Sequence, residues 1–144
     1  MAEWTQSDAW VFASLPGAGP EHGVALWQVL FSADGINHAS LGENEFTMAA
    51  GRLIATGLMS ADVAADRYWL TAEGYALRQR LLPPDSQNYP WYDAVLPGLR
   101  SLGEPAPDRL SLPDGTFRRA TKRYSKEFWA LYRRIQAEKQ APND

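Results

Sequence analysis

The sequence of 144 residues contains no cysteine and only two histidines. Without cysteine the chain can form no disulfide, carry no thiol nucleophile and hold no cysteine-ligated zinc ion. The two histidines, His22 and His38, are isolated and lack carboxylates at the spacing that a metal site needs. We therefore expect neither a metal ion nor any other cofactor.

Long apolar runs are also missing. The longest, from Val24 to Phe31, is interrupted by Gln28 and is far shorter than the roughly 20 residues that span a membrane. The first ten residues, MAEWTQSDAW, have neither the basic segment nor the apolar stretch of a secretory signal. These features predict a cytoplasmic protein without a membrane partner.

Catalytic patterns are scarce. Asp34 and His38 are four residues apart with Ser32 or Ser40 nearby, so His38 could act as a general base that Asp34 orients. The sequence has no nucleophile elbow and no glycines of an oxyanion hole to accompany them. The glycine-containing stretch LPGAGPEHG lacks the lysine and the Ser or Thr of a phosphate-binding loop. We expect a protein that is not an enzyme.

Positive charge is rare in the first three quarters of the chain. Residues 1–108 contain 5 Lys and Arg against 13 Asp and Glu, a net charge of −8, whereas residues 109–144 contain 9 against 4, a net charge of +5. The two sums give the net charge of −3 for the whole chain. A polyanion is therefore expected to meet the C-terminal part first.

Helix signals dominate what is present. Thr5 followed three residues later by Asp8 is a capping box, which predicts a short N-terminal helix before the loop at 16–23. The stretch GVALWQVLFSAD is apolar on nearly every side, which predicts a helix in the middle of the domain. The sequence Asp34-Gly35-Ile36-Asn37 is expected to end that helix.

A second capping box, Ser40 with Glu43, predicts a helix over residues 43–56. The helical repeat places two groups of side chains on opposite sides of this helix. The side expected to face the core carries Phe46, Ala50, Leu53, Ile54 and Gly57. The other side is expected to be exposed or to meet a partner, and it carries Asn44, Thr47, Met48, Gly51, Arg52 and Ala55.

Residues 58–60 and 67–70 predict two short strands that pair around the tip ADVAAD. Alternation in the second strand places Tyr68 and Leu70 on one face. The next residue, a threonine, is expected to cap the helix AEGYALRQRLL, which a pair of prolines stops.

This order of helix, capped helix, hairpin and helix, with the sequences RLIATGLM and RYWLTAEGYAL, resembles the winged-helix bacterial regulators of the multiple-antibiotic-resistance (MarR) and phenolic-acid (PadR) types. The resemblance covers roughly residues 24–82. It implies a winged-helix fold, binding of double-stranded DNA, transcription regulation and a homodimer formed through the C-terminal helix. Those families place a further short helix where this chain has only INHASLG, so the helix-turn-helix is expected to be abbreviated.

The chain changes character at residue 83. A connection rich in proline and aromatic residues over 83–109 is expected to pack on the domain, with one helical turn at 93–96. The stretch RLSLPDGTFRR predicts a tight hairpin turned at Pro113-Asp114-Gly115. An amphipathic helix over 120–140 is predicted next, with an apolar face made of Tyr124, Phe128, Leu131, Tyr132 and Ile135.

The predicted fold class is therefore α+β, mainly α. A winged helix with its N-terminal helix occupies residues 1–82, the connection occupies 83–109, and a hairpin and basic helix at 110–144 pack on this domain or on a dimer partner.

The resemblance implies that the helix at 43–56 enters the major groove of DNA and that Arg67 of the hairpin contacts a phosphate. The dense basic cluster at 118–126 is a second candidate for phosphate contact. The candidate DNA-binding residues are Asn44, Thr47, Met48, Arg52, Arg67, Arg118, Arg119, Lys122, Arg123 and Lys126.

Acidic residues beside the candidate reading helix favour an alternative. Glu43 and Glu45 lie at its N-terminal end, and Asp62 and Asp66 flank the hairpin tip, where carboxylates oppose phosphate. The basic cluster could equally be a solvated helix face that balances the acidic remainder of the chain. The alternative function is a winged-helix protein-interaction module that binds another polypeptide, through aromatic anchors such as Trp69, and no DNA.

Overall fold

The computed structural model describes residues 3–82 and 91–140, except for the side chains of Trp91 and Tyr92. These ranges form a mainly helical α+β fold with one antiparallel pair of strands. The elements are α1 (Gln6–Ser14), α2 (Leu26–Asn37), α3 (Glu43–Ala55), β1 (Met59–Asp62), β2 (Arg67–Leu70), α4 (Ala72–Leu81), α5 (Trp91–Arg100) and α6 (Thr116–Gln140). Within the same ranges, no helix is both long enough and apolar enough to cross a lipid bilayer.

The predicted capping box of α1 is confirmed. The Thr5 hydroxyl accepts a hydrogen bond from the Asp8 amide at 3.3 Å, and the Asp8 carboxylate accepts one from the Thr5 amide at 2.8 Å. Because both partners lie within four residues, sequence spacing alone sets this geometry. The apolar side of α1, with Val11 and Phe12 fully buried, packs against α2, α3 and α5.

α2 ends within the stretch expected to end it, whereas the predicted cap of α3 is wrong. α2 continues through Gly35 to Asn37 and ends where His38 adopts a left-handed conformation, with its amide bonded to the Asp34 carbonyl at 2.7 Å. α3 is capped by Gly42, whose amide donates to the Glu45 side chain at 3.1 Å, so Ser40 and Glu43 do not form the capping box. The body of α3 nevertheless agrees with the predicted helix to within one residue.

The predicted hairpin is confirmed. β1 and β2 are antiparallel, with Met59 opposite Leu70, and Tyr68 and Leu70 are fully buried on one face. Val24, just before α2, pairs with Tyr68 through two backbone hydrogen bonds of 2.9 and 3.0 Å. A third segment of chain therefore lies beside β2 and fixes the hairpin against the start of α2.

α4 and α5 follow the hairpin. Thr71 caps α4 as predicted, since its hydroxyl accepts from the Gly74 amide at 3.0 Å. α5 is a helix of ten residues, not the single turn expected at 93–96. The burial of Val95, Leu96 and Leu99 against α1 stabilises a helix that contains a proline. Tyr89 and the proline pair after α4 lie outside the described residues.

The predicted C-terminal hairpin is wrong. Pro113-Asp114-Gly115 does form a turn, in which the Thr116 amide donates to the Pro113 carbonyl at 3.1 Å, but the chain then enters α6. Phe117 and Ala120, three residues apart, are buried on the body beside half-buried Tyr124. This helical spacing favours a helix over the second strand of a hairpin, so α6 begins four residues before its predicted start.

Candidate functional site

The predicted reading side of α3 is only partly exposed. Thr47 is buried, with 6 % of its surface accessible, and Gly51 is buried as well. The expectation that this whole side faces solvent or a partner is therefore wrong at its centre. Asn44 and Met48 are exposed, and they lie toward the N-terminal half of the helix.

Residues 108–110, which we call the covering segment, lie across the centre of this side. The Leu110 amide donates to the Thr47 carbonyl at 2.9 Å, and the Arg109 guanidinium reaches the Asn44 side-chain oxygen at 3.4 Å. A Cβ atom on Gly51 would lie 2.4 Å from the Arg109 Cα atom. Backbone from a distant part of the chain thus occupies the place where a base edge would have to approach.

Arg52 is engaged within the fold. Its guanidinium forms an ion pair with Asp8 at 3.0 Å, and the side chains of the two residues are 14 % and 1 % exposed. The same nitrogen donates to the Glu3 carbonyl at 3.3 Å. Arg52 therefore neutralises the buried carboxylate of the α1 capping box and is not a free cation.

The cations of the basic cluster of α6, unlike Arg52, are all exposed at the surface. The helical repeat places them on the sides of α6 away from buried Phe117 and Ala120. Arg123 lies at the flank nearest Trp27 of α2. We call this surface the basic ridge; it consists of Arg118, Arg119, Lys122, Arg123 and Lys126. Within the described chain the only carboxylate paired with the ridge is Glu127, which accepts from Arg123 at 2.9 Å.

The fold brings the hairpin tip to the basic ridge. A half-open pocket of about 450 Å³ lies between them, lined by Val63, Ala64 and Asp66 of the tip and by Thr116, Arg119 and Arg123 of α6. The hairpin tip therefore lies beside the predicted α6 site, but neither Arg67, the predicted hairpin contact, nor the reading side of α3 lines the pocket.

Asp66 and Arg67 are neighbours at the hairpin, but their side chains have different partners. Asp66, in a left-handed conformation, accepts a hydrogen bond from the Leu26 amide at 3.1 Å, so its carboxylate caps the N-terminus of α2. Arg67 is exposed, and its guanidinium donates to the Asp66 carbonyl at 3.0 Å. The negative charge nearest the pocket is thus partly compensated by a helix end.

Of the residues that line this pocket, the sequence analysis identified only Arg119 and Arg123 as site candidates, and it missed Trp27 and Thr116 among the others. The indole of Trp27 lies 4.9 Å from the Arg123 guanidinium in a cation–π contact. Thr116 is one helical turn before Arg119, a spacing that would have indicated a shared face had the start of α6 been predicted correctly. Nothing in the sequence pattern indicated Trp27, because it comes from a helix far away in the chain.

The apolar stripe of α6 extends beyond the body of the protein. Its first residues, Phe117 and Ala120, are buried, whereas four large apolar side chains farther along the helix are exposed. The exposed fractions are 36 % for Phe128, 50 % for Trp129, 47 % for Tyr132 and 39 % for Ile135. On another flank of this half of α6, a groove of about 480 Å³ separates it from α2 and the end of α1. An exposed aromatic cluster of this kind is typical of a protein contact surface.

The side chains that could have paired for catalysis have other partners. The Asp34 carboxylate accepts a hydrogen bond from the Tyr124 hydroxyl at 2.8 Å, which ties α2 to α6. Burial, and then this bond, raise the pKa of Tyr124. His38 is an exposed residue at the C-terminus of α2. Asp34 and Tyr124 are therefore structural partners that hold α2 against α6.

Comparisons of the chain with protein-family models, with curated proteins and with solved structures found no match.

Proposed function

We propose that this protein binds double-stranded DNA through the phosphate backbone, with the basic ridge of α6 as the principal contact, and that it regulates transcription in this way. The observation that carries the proposal is the exposure of all five ridge cations on one side of one helix. From Arg118 to Lys126 the ridge extends about 12 Å along the helix axis, at about 1.5 Å per residue. Because each strand of duplex DNA carries a phosphate about every 3.4 Å of axis, several phosphates are within reach.

A winged-helix relationship is part of the proposal. α2, α3, the hairpin and α4 follow one another in the order on which the resemblance rests. α2 and α3 are joined only by residues 38–42, so these two could themselves form the helix-turn-helix without a further helix between them. The support for this part is the order of elements.

Contact with the backbone, and not base reading by α3, is what we propose. The covering segment lies on Gly51, so the middle of α3 is not accessible to a base. Arg52 is paired with Asp8, so its guanidinium is not free to contact a base. Glu43 and Asp108, both exposed near α3, would repel phosphate. The expected binding is therefore strongly dependent on salt and weakly dependent on sequence.

The experiment measures affinity for a fluorescent duplex by anisotropy over a range of salt concentrations. The test variant is Arg118→Gln/Lys122→Gln, and the matched control is Arg80→Gln/Arg100→Gln, which removes two exposed cations from α4 and α5. The plot of log affinity against log salt is expected to lose about 1.8 of its slope in the test variant, because each phosphate contact contributes about 0.9.

In the control variant the slope is expected to be unchanged. Absence of wild-type binding at low salt, or an equal loss in the control, would contradict the proposal. A Met48→Ala variant tests base reading separately, because Met48 is exposed on α3. We expect this variant to have the same relative affinities for different duplex sequences as the wild type.

A second candidate function, a protein-interaction module, is favoured by the exposed aromatic residues of α6. Phe128 continues the side of α6 that is buried on the body, and Trp129 packs against Phe128 and Tyr132 beside it, which indicates a surface suited to further packing. A second copy of the chain is the partner we propose, because residues 1–108 carry a net charge of −8 and complement the net charge of +5 in residues 109–144. This homodimer through the C-terminal helix is compatible with DNA binding by the basic ridge.

A further inference from the structure

The pocket between the hairpin tip and α6 combines free positive charge with an apolar wall. The Arg119 guanidinium forms no ion pair in the described part of the chain, and its one side-chain hydrogen bond there is a long contact of 3.5 Å with the Thr116 hydroxyl. Arg123 lines the pocket from the next turn of the helix. Two guanidinium groups one turn apart can approach the same anion from one side.

The negative groups near these arginines are already bonded. Asp66 lines the pocket, but its carboxylate oxygen accepts the Leu26 amide at the start of α2. Glu127 is bonded to the Arg123 Nε atom and does not line the pocket. Arg123 is thus already paired with Glu127 and the Asp66 carboxylate is bonded to a helix amide, which leaves Arg119 as the cation available to an anion.

The pocket is larger than a phosphate group and is not polar throughout. Its apolar lining consists of Trp27, Val63, Ala64, Pro113 and Ala120. One side of the Trp27 ring is near Arg123, at 4.9 Å, so the ring is already polarised by a cation. A ligand that fits this lining has an anionic group for the arginines and an organic part, such as a ring or sugar, for the wall.

We propose that this pocket binds a phosphate ester, with Arg119 and the Thr116 hydroxyl as the primary phosphate contacts, Arg123 as a second cation and Trp27 as the wall for the organic part. The phosphate ester is either a free nucleotide or one phosphodiester of a DNA strand. If the ligand is a DNA phosphodiester, the proposal rests on the proposed function. If the ligand is a free nucleotide, the proposal is independent of that function.

The experiment titrates the intact protein with adenosine monophosphate and, as a matched uncharged ligand, with adenosine. Chemical shifts of the arginine Nε–H and tryptophan indole groups are followed by NMR. Adenosine monophosphate is expected to shift the Arg119 and Trp27 signals to saturation, whereas adenosine is not. Arg119→Gln is expected to weaken binding about tenfold or more, because a charge-assisted hydrogen bond is lost.

Arg133→Gln is the matched control, since Arg133 is exposed on the same helix but does not line the pocket. We expect it to bind adenosine monophosphate as the wild type does. No saturable shift up to about 10 mM, which corresponds to negligible affinity, would overturn the nucleotide form. An equal loss in the Arg133 control would show a general charge effect and would overturn the proposed pocket.

A duplex added in competition separates the two sources of phosphate. Displacement of the duplex by adenosine monophosphate, together with weaker duplex binding in Arg119→Gln than in Arg133→Gln, supports a phosphodiester in the pocket. If the duplex binds but both variants bind it equally and the nucleotide does not bind, the pocket proposal fails while the proposed function stands. If the nucleotide binds and the duplex does not, the proposed function fails while the pocket stands.

Discussion

Gly51 of α3 and Arg109 of the covering segment are so close that any side chain at position 51 would collide with backbone, because its Cβ atom would lie 2.4 Å from the Arg109 Cα atom. Gly51 thus lets an irregular stretch of chain lie directly on a helix. The contact also decides what α3 can do, since it covers the middle of the side that would have to enter a DNA groove.

Gly51→Ala is expected to lower the free energy of unfolding by about 2 kcal/mol, although alanine favours helix, because overpacking against backbone outweighs the gain in propensity. Chemical denaturation measures this change. Hydrogen exchange at the Leu110 amide, which is bonded to the Thr47 carbonyl, should accelerate because the covering segment is displaced.

Gly35→Ala is the control for this substitution. Gly35 is also inside a helix, but a Cβ atom there would meet nothing within 4 Å. We expect a gain of about 0.5 kcal/mol and unchanged exchange at Leu110. Equal behaviour of the two glycine variants would show that the covering segment does not rest on Gly51.

Arg52→Met is expected to lower the free energy of unfolding by about 3 kcal/mol, because it leaves the buried Asp8 carboxylate without its cation. The exposed Arg67 offers the comparison, and Arg67→Met is expected to change stability by no more than about 0.5 kcal/mol. Thermal and urea denaturation of the two variants test this difference. A stable Arg52→Met protein that has lost duplex binding would instead favour a direct DNA contact at Arg52.

Tyr68→Phe is expected to leave stability near neutral pH unchanged or to raise it by up to about 1 kcal/mol. The Tyr68 hydroxyl is buried and has no hydrogen-bond partner among the described residues, so its removal relieves an unsatisfied polar group. Urea denaturation of the two proteins at neutral pH measures the difference. A large loss would mean that the hydroxyl has a stabilising contact.

The same residue predicts a dependence on alkaline pH. Burial, and secondarily the charge of Asp66, raise the pKa of Tyr68 from 10.0 to about 12. The unfolded chain therefore releases this proton first, so the wild type loses stability as pH rises from about 10 to 12, whereas the contribution is fully present below pH 10. The stability advantage of Tyr68→Phe should grow across this interval, as alkaline denaturation curves would show.

Trp129→Ser/Tyr132→Ser is expected to abolish self-association without unfolding the protein, because both side chains are about half exposed. Analytical ultracentrifugation over a range of concentrations measures the assembly. Leu102→Ser, which removes an apolar side chain that is 46 % exposed outside α6, should associate as the wild type does. A wild type that stays monomeric at high concentration would rule out the dimer.

The sequence by itself determined the elements that depend on near neighbours. The capping box of Thr5 and Asp8, the body of α3, the alternation around Tyr68 and the threonine cap of α4 were all predicted, because each depends on residues within a few positions. The uneven distribution of charge along the chain also follows from the sequence alone, since it requires only counting.

Only the tertiary structure decided which candidate residues are available to a ligand. Arg52 pairs with a residue 44 positions away, and the covering segment reaches α3 from more than 55 positions along the chain, so no local pattern could indicate either contact. The same holds for the early start of α6 and for the pocket that joins Trp27, the hairpin tip and Arg119. These contacts form where packing of the apolar core brings distant segments together, and that packing depends on three-dimensional shape and not on sequence spacing.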